Sequence, residues 1–514
     1  MIAQTITHRT SGFPRVPCRF TTMKTSFGLF LLAASLLFGG LQQQALATTY
    51  TYGSNGTTNW STATWTGGTP VSSLDNVLNF TSPLGSAMST TNNLGAGFML
   101  NRLSLTNNSS STNGQNLIIA GNSLNFVKDS SNVLPTIVLA KASGSAGTTT
   151  ISAPFTVTDA LTITSTVNSG STNIQGAITN TGGMTFDGAG TGSITLGTGV
   201  ISGAGGITYS GSYAVTASGA NTYTGGTTIN TRLKIGNAKA LGGNTSAASV
   251  TSGGVLDLNG TTMTNTNALT LNGTGISSGG ALTNSSATAG TYIGLVTLGS
   301  ASSIVASSGN IILSNAGTIT GSGFGLTLGG AATGSSIASV IGTGAGTLTK
   351  QGTGTWTLSG ANTYTGSTTV SAGVLKLGVN SAVSSSSNVV LSGGTLQSAF
   401  SQTLGTLDLT ASSTLDLSTA GTFVFADSSA LAGSWTGTLS IVGTFTDHAS
   451  VNFGIGGLTG GQLGQITING SAASLDGSGY LFTAIPEPST YAMLAGVLSL
   501  GAVVWRRARG RTVA

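Results

Sequence analysis

Residues Gly346 to Gly378 read GTLTKQGTGTWTLSGANTYTGSTTVSAGVLKLG, and the part that starts at Ser359, SGANTYTGSTTVSAGVLKLG, has a counterpart starting at Ser218, SGANTYTGGTTINTRLKIG. The first halves align at an offset of 141 residues, so Asn221 corresponds to Asn362, Tyr223 to Tyr364 and Val215 to Trp356. Two copies of one structural unit are therefore written into the chain. Within and between them, short runs such as VLKL, VLDL and TLDL alternate apolar with polar residues. Successive side chains of a strand point to opposite faces. Leu375 and Leu377, Leu256 and Leu258, and Leu407 and Leu409 thus share one face of their strands, with Lys376, Asp257 and Asp408 on the other.

A strand with one apolar face cannot bury its leucines alone, whereas stacked coils enclose a continuous column of Leu, Val, Ile and Trp356. Composition agrees. Glycine accounts for 80 of 514 residues and charged residues for 5%, against about 7% glycine and about 25% charged residues in ordinary domains. Aperiodic glycine and serine at this level would mean disorder, but here they bound short alternating runs, the mark of many short strands. No helical stripe interrupts residues 48–485. Gly366 and the Gly-Gly, Ser-Gly and Gly-Ala pairs are expected to supply positive φ at tight corners. Asn362 is expected in a similar conformation, its amide stacking on neighbouring rungs. Rungs of ~20 to 25 residues stacked at about 4.8 Å would make a rod of roughly 80 to 100 Å. The alternative, one or more Greek-key sandwiches, would not need the NTYTG corner repeated verbatim.

The unit at Gly346 resembles the autotransporter-associated β-strand repeat of secreted bacterial surface proteins, with weaker echoes in GGMTFDGAGTGSITLG from Gly182, GGVLDLNG from Gly253 and GFGLTLGG from Gly323. The resemblance implies an all-β fold, a right-handed parallel β-helix. The expected organisation has a leader over residues 1–47, an N-terminal cap over 48–110 and a β-helix over 111–378, with repeat modules at 205–236 and 346–378. C-terminal rungs and a cap follow over 379–484, and a sorting segment over 485–514. Trp60 and Trp65, in NWSTATWTGGTPVSSLDNVLNF, read as packing in the first cap rather than as a carbohydrate-stacking site. Asp476 with Gly477 reads as a turn near the other end.

Both termini read as address labels. Met23-Lys24, the apolar stretch Phe27 to Leu41 and the small residues Ala45-Leu46-Ala47 form a secretory signal peptide, with Met23 as the expected start and Thr48 as the first residue after cleavage. Cys18, the only cysteine, lies before that start, so the mature chain is expected to hold neither a disulfide nor a thiolate site. At the other end Pro486-Glu487-Pro488 precedes the apolar run Tyr491 to Trp505 and the arginines Arg506, Arg507, Arg509 and Arg511. Fifteen helical residues at ~1.5 Å each span about 22 Å, short of the roughly 30 Å hydrocarbon core, which suits transient insertion of a single sorting helix. This order resembles the PEP-CTERM sorting signal. It implies export machinery and an exosortase-like processing enzyme as partners, and a place in the envelope or outside a Gram-negative cell.

The net charge of +5 is carried by those labels, for between Thr48 and Ile485 eight basic residues face ten aspartates. Nothing there points to nucleic acid. Glycoside hydrolysis needs a pair of carboxylates; Glu487 is the only glutamate and the aspartates are dispersed, Asp408 and Asp416 being the best candidates for a shared face. His448, beside Asp447, reads as a solvated surface imidazole on a strand. His448 is the single histidine expected in the mature chain, and one histidine without cysteine makes no ordinary zinc site. The calcium-binding nonapeptide is absent, and GAGTG at Gly188 opens no helix that could cradle phosphate. No cofactor, metal or catalytic residue is expected. A true autotransporter would need a C-terminal membrane barrel, for which the stretch between Gly378 and Pro486 is too short. The expected function is that of a non-enzymatic adhesive or structural protein in contact with exopolysaccharide; the alternative is a polysaccharide lyase or hydrolase on the same scaffold.

Overall fold

In the computed structural model the chain divides between Ala45 and Leu46. The structure describes residues 47–484, with short breaks at 55, 84–85, 109–115, 142–146, 168–169 and 419–420, together with 496–500, 502 and 505. Strands follow one another almost without helix, and they pair in parallel with the strand one coil away. Thr162 sits opposite Thr185, Thr185 opposite Thr208, and Thr208 opposite Thr228. The result is a parallel β-solenoid of about 16 turns. At about 4.8 Å per turn the stack measures roughly 77 Å, just short of the expected length. Several turns are longer than 25 residues; Arg102 is opposite Thr136, so that turn takes 34. Among the described strands, antiparallel pairs occur only at the two ends, which excludes a Greek-key sandwich.

The alternation seen in the sequence becomes a dry interior. One column runs Leu78, Leu103, Ile137, Ile163, Phe186 and Tyr209 on successive turns, and none of these side chains is more than 1% exposed. Trp356, Leu375, Leu396, Leu415, Ile441 and Ile468 form another. Burying one such side chain contributes ~1.5 to 3 kcal/mol, so each rung is stabilised by its neighbours above and below.

The two repeat copies adopt the same local geometry. Tyr223 is buried with its hydroxyl 2.6 Å from that of Thr227, and Tyr364 is placed likewise 2.7 Å from Thr368. Asn362 accepts a hydrogen bond from the Ile341 amide below and donates to the Ala382 carbonyl above, each at 2.6 Å. Asn221 bridges Ile201 and Ala240 in the same way. The expected role of Asn362 is therefore corrected: it does not have positive φ, and its amide ties backbone to backbone across three turns rather than stacking on other amides. Gly366 is corrected too. Its φ is not positive; a Cβ there would lie 2.4 Å from the Gly346 carbonyl oxygen of the preceding turn. The corner needs glycine for close approach. Gly253 and Gly393 do take positive φ, as expected of such pairs, and so does Gly373.

At the N-terminal end, Thr48–Tyr52 folds antiparallel against Trp65–Thr66 while pairing in parallel with Asn76–Thr81. Trp60, Trp65, Tyr52, Phe80 and Phe98 pack ring against ring at 5.0 to 5.9 Å. Trp60 is fully buried and cannot stack on a sugar. Residues 48–110 contain parallel rungs as well as this cap. At the other end, Ile466–Ile468, Ser471–Leu475 and Leu481–Thr483 form an antiparallel meander, which covers edges that would otherwise stay open to pairing.

Candidate functional site

Among the described residues, one cation is fully buried in the interior. Leu348 and Lys350 lie on the same face of their strand, and Lys350 occupies the apolar column between Leu328 and Val370, fully buried. Its ammonium donates to the carbonyls of Gln351, Gly352 and Ala372 at 2.8 to 3.0 Å. Burial pulls its pKa down to about 8. All three donors are occupied, so the group joins turns and offers no free nucleophile. Sequence reading did not single out Lys350; the signal that could have found it is the period-2 rule, which puts Lys350 on the same face as Leu348.

The aspartates are used by the fold. Asp408 lies opposite Val390 in one sheet, and Asp416 opposite Gln397 in another, so they do not share a face. Asp408 accepts from the Ser434 hydroxyl at 2.6 Å; Asp416 accepts from Gln397 at 2.7 Å and from the Ser418 amide at 2.8 Å. Asp257 points away from Leu256 and Leu258, as the alternation requires, but it is buried rather than exposed. The next turn covers it: the Ser285 amide donates to one oxygen at 3.0 Å, and Arg232 reaches the other at 3.4 Å.

His448 is also placed differently. It sits in a turn at positive φ, 58°, and its ring is stacked on Phe482 and lies 2.7 Å from Asp476. Its partner is thus Asp476, not Asp447, which instead accepts from the Thr483 amide. The imidazole remains half exposed. Hydrogen bonds from His448 and from the Tyr480 and Ser478 amides hold the Asp476 carboxyl below its ordinary range, and the expected turn at Asp476-Gly477 is built on them. Among the described residues no group of three or more metal-ligating side chains occurs.

What remains outside is mostly uncharged, with scattered exceptions such as Arg102, Asp187 and Lys376. Outward strand positions repeat hydroxyl and amide side chains from turn to turn, as in Thr156, Thr179 and Ser202, or Thr327, Thr349 and Thr369. Of the address labels, Ala45, Pro486, Glu487, Pro488, Arg506, Arg507 and Arg509 lie outside the described residues. Ala47 is exposed, and Thr48 opens the first strand, its amide donating to the Asp75 carbonyl at 3.1 Å. Residues 496–500 are helical and exposed; among the described residues no helix is long and apolar enough to cross a membrane.

Fold and surface together define a repeat-bearing parallel β-solenoid. Residues 215–231 and 348–377 match the passenger-associated-transport-repeat family, within the two modules marked out by the sequence. No curated protein and no solved structure matches the chain.

Proposed function

We propose that this is an exported, non-enzymatic protein of the bacterial cell surface or extracellular matrix, where the solenoid acts as an adhesive or structural element in contact with exopolysaccharide. The observation that carries this reading is the outer surface: hydroxyl and amide side chains recur on successive turns, while the candidate carboxylates are bound to neighbouring groups of the fold. Such a surface makes many modest hydrogen bonds, each worth about 0.5 to 1.5 kcal/mol. The passenger-repeat match supports export. The terminal sequences support delivery through a signal peptide cut before Thr48 and an exosortase-type enzyme acting near Pro486, with transient insertion of 491–505. A fold alone assigns no activity, so the test is direct. Purified mature protein is mixed with matrix glycans and fractionated; the reading expects co-fractionation, and protein that stays wholly in the soluble fraction refutes adhesion. A reducing-sugar assay over the same glycans reports any lyase or hydrolase activity, and product formation that Asp408→Asn or Asp416→Asn abolishes would establish the enzymatic alternative.

A further inference from the structure

One outward column differs from the rest in length. It starts at Thr136, Thr162 and Thr185 and continues from Thr208 to Thr320, occupying nine successive turns with Ser249 as the single non-threonine. Thr297 and Thr320 share a hydrogen bond at 3.1 Å. The other seven hydroxyls have no side-chain hydrogen-bond partner among the described residues. All nine side chains are at least partly exposed. A partnerless surface hydroxyl is ordinary; a file of seven at the strand spacing of about 4.8 Å is a ruler of donors and acceptors along the solenoid axis.

The flanks shape what can lie there. On one side the neighbouring positions over the middle turns are small, at Gly183, Gly206, Gly226 and Ala247, so a ligand can approach those hydroxyls over a low shelf that the exposed Leu134 and Leu295 bound at either end. On the other side stand polar residues, among them the exposed carboxylate Asp187. Within these nine turns no lysine or arginine shares the column or either flank; the exposed Arg102 stands in line with it one turn before Thr136. Around Thr185, three turns from Arg102, an anionic chain would meet the Asp187 carboxylate with no counter-charge beside it, while an uncharged chain meets no penalty.

Resting on the adhesive reading above, the geometry points to this column as the docking face for a neutral, extended, β-linked polysaccharide. The chain lies parallel to the solenoid axis, and its sugar hydroxyls exchange hydrogen bonds with one threonine per turn. The rise per turn is close to the length of one pyranose residue in such a chain, so contacts stay in step over several turns before drifting.

Affinity electrophoresis of the full mature protein in gels containing hydroxyethylcellulose, a mixed-linkage β-glucan or alginate tests this. Thr→Val substitution at Thr185, Thr208, Thr228 and Thr270 removes four hydroxyls and keeps the β-branched shape that suits a strand; circular dichroism and thermal melting confirm the fold. Thr327→Val/Thr349→Val/Thr369→Val, on another column, is the control. Retardation by the neutral glucans but not by alginate is expected, with affinity falling about tenfold or more in the four-site variant and unchanged in the control. Undiminished binding by the four-site variant overturns the column's role and leaves the adhesive reading standing. Failure of the wild type to bind any glycan, matrix glycans included, removes both. Selective retention by alginate, or enrichment on growing ice without glucan binding, contradicts the assignment in favour of an anionic chain or of ordered water.

Discussion

Replacing Asn362 by alanine removes the clip that joins three turns at the repeat corner. The side chain is 4% exposed, and its two bonds, to the Ile341 amide and the Ala382 carbonyl, are both 2.6 Å. Alanine leaves the Ile341 N–H buried without a partner, which costs about 1 to 3 kcal/mol. The Ala382 carbonyl still accepts from the Asn362 amide at 3.3 Å, so its share is only the loss of one bond, about 0.5 to 1.5 kcal/mol. A total of about 1.5 to 4.5 kcal/mol follows. Repeat arrays open locally and depart from two-state unfolding, so the assay is amide hydrogen exchange by mass spectrometry on peptides spanning residues 335–345. At about 1.4 kcal/mol per tenfold, exchange should accelerate roughly 10- to 1,600-fold there and stay unchanged at the distant N-terminal turns. Asn221→Ala should reproduce the effect around Ile201. Asn362→Asp keeps the acceptor but sets a buried carboxylate against the Ala382 carbonyl; its folded pKa is then raised, so its deficit is largest at neutral pH and shrinks as pH falls through that value. An acceleration of less than about threefold for Asn362→Ala would refute the bridging role.

Four further outcomes are expected. Gly366→Ala places a methyl group 2.4 Å from the Gly346 oxygen and should cost about 1 to 3 kcal/mol or more, read as loss of protection in the adjoining turns. Trp356→Ala should cost about 3 to 5 kcal/mol, measured by urea titration followed by exchange. Stability should rise between pH 8 and about 10, because the unfolded chain holds a proton on Lys350 that the folded chain has already released, with a limiting slope of about 1.4 kcal/mol per pH unit. Above about pH 10 it should fall, since burial holds the phenols of Tyr223, Tyr292 and Tyr364 far above their ordinary range while the unfolded chain ionises; a flat profile from about 8 to 12 would contradict both placements. Asp476 contributes stability that is present above its ordinary pKa and is lost as pH falls through its lowered folded value, and Asp476→Asn should abolish that acid-side dependence in a melting series.

The leucine columns were legible because a two-residue period fixes faces without knowledge of neighbours, and Leu375, Leu377, Leu407 and Leu409 are buried as read. Lys350 obeyed the same rule. Contacts between turns were not legible. The alternation put Asp257 on the face away from the leucines but could not show that it is covered, because the segment near Ser285 that covers it comes from the next turn. The partner of His448 is 28 residues away and reaches it only through the antiparallel meander at the end. Gly366 and Asn362 were marked correctly as corner residues, but the reason for each lies in the coil beneath, at a distance set by rung spacing and invisible in a single strand. Likewise, that Thr185, Thr208 and Thr228 line up depends on intervening loop lengths that only the stacked structure sums.

In-register stacking of parallel turns underlies every placement above, and double electron–electron resonance between spin labels measures it. With Cys18 absent, labels at Thr162→Cys and Ser249→Cys are four turns apart, and labels at Thr162→Cys and Thr320→Cys seven turns apart. Distances of about 19 Å and about 34 Å, rising in proportion to the number of turns, are expected. Distances that do not grow with turn number, or broad distributions without a dominant peak, would contradict it.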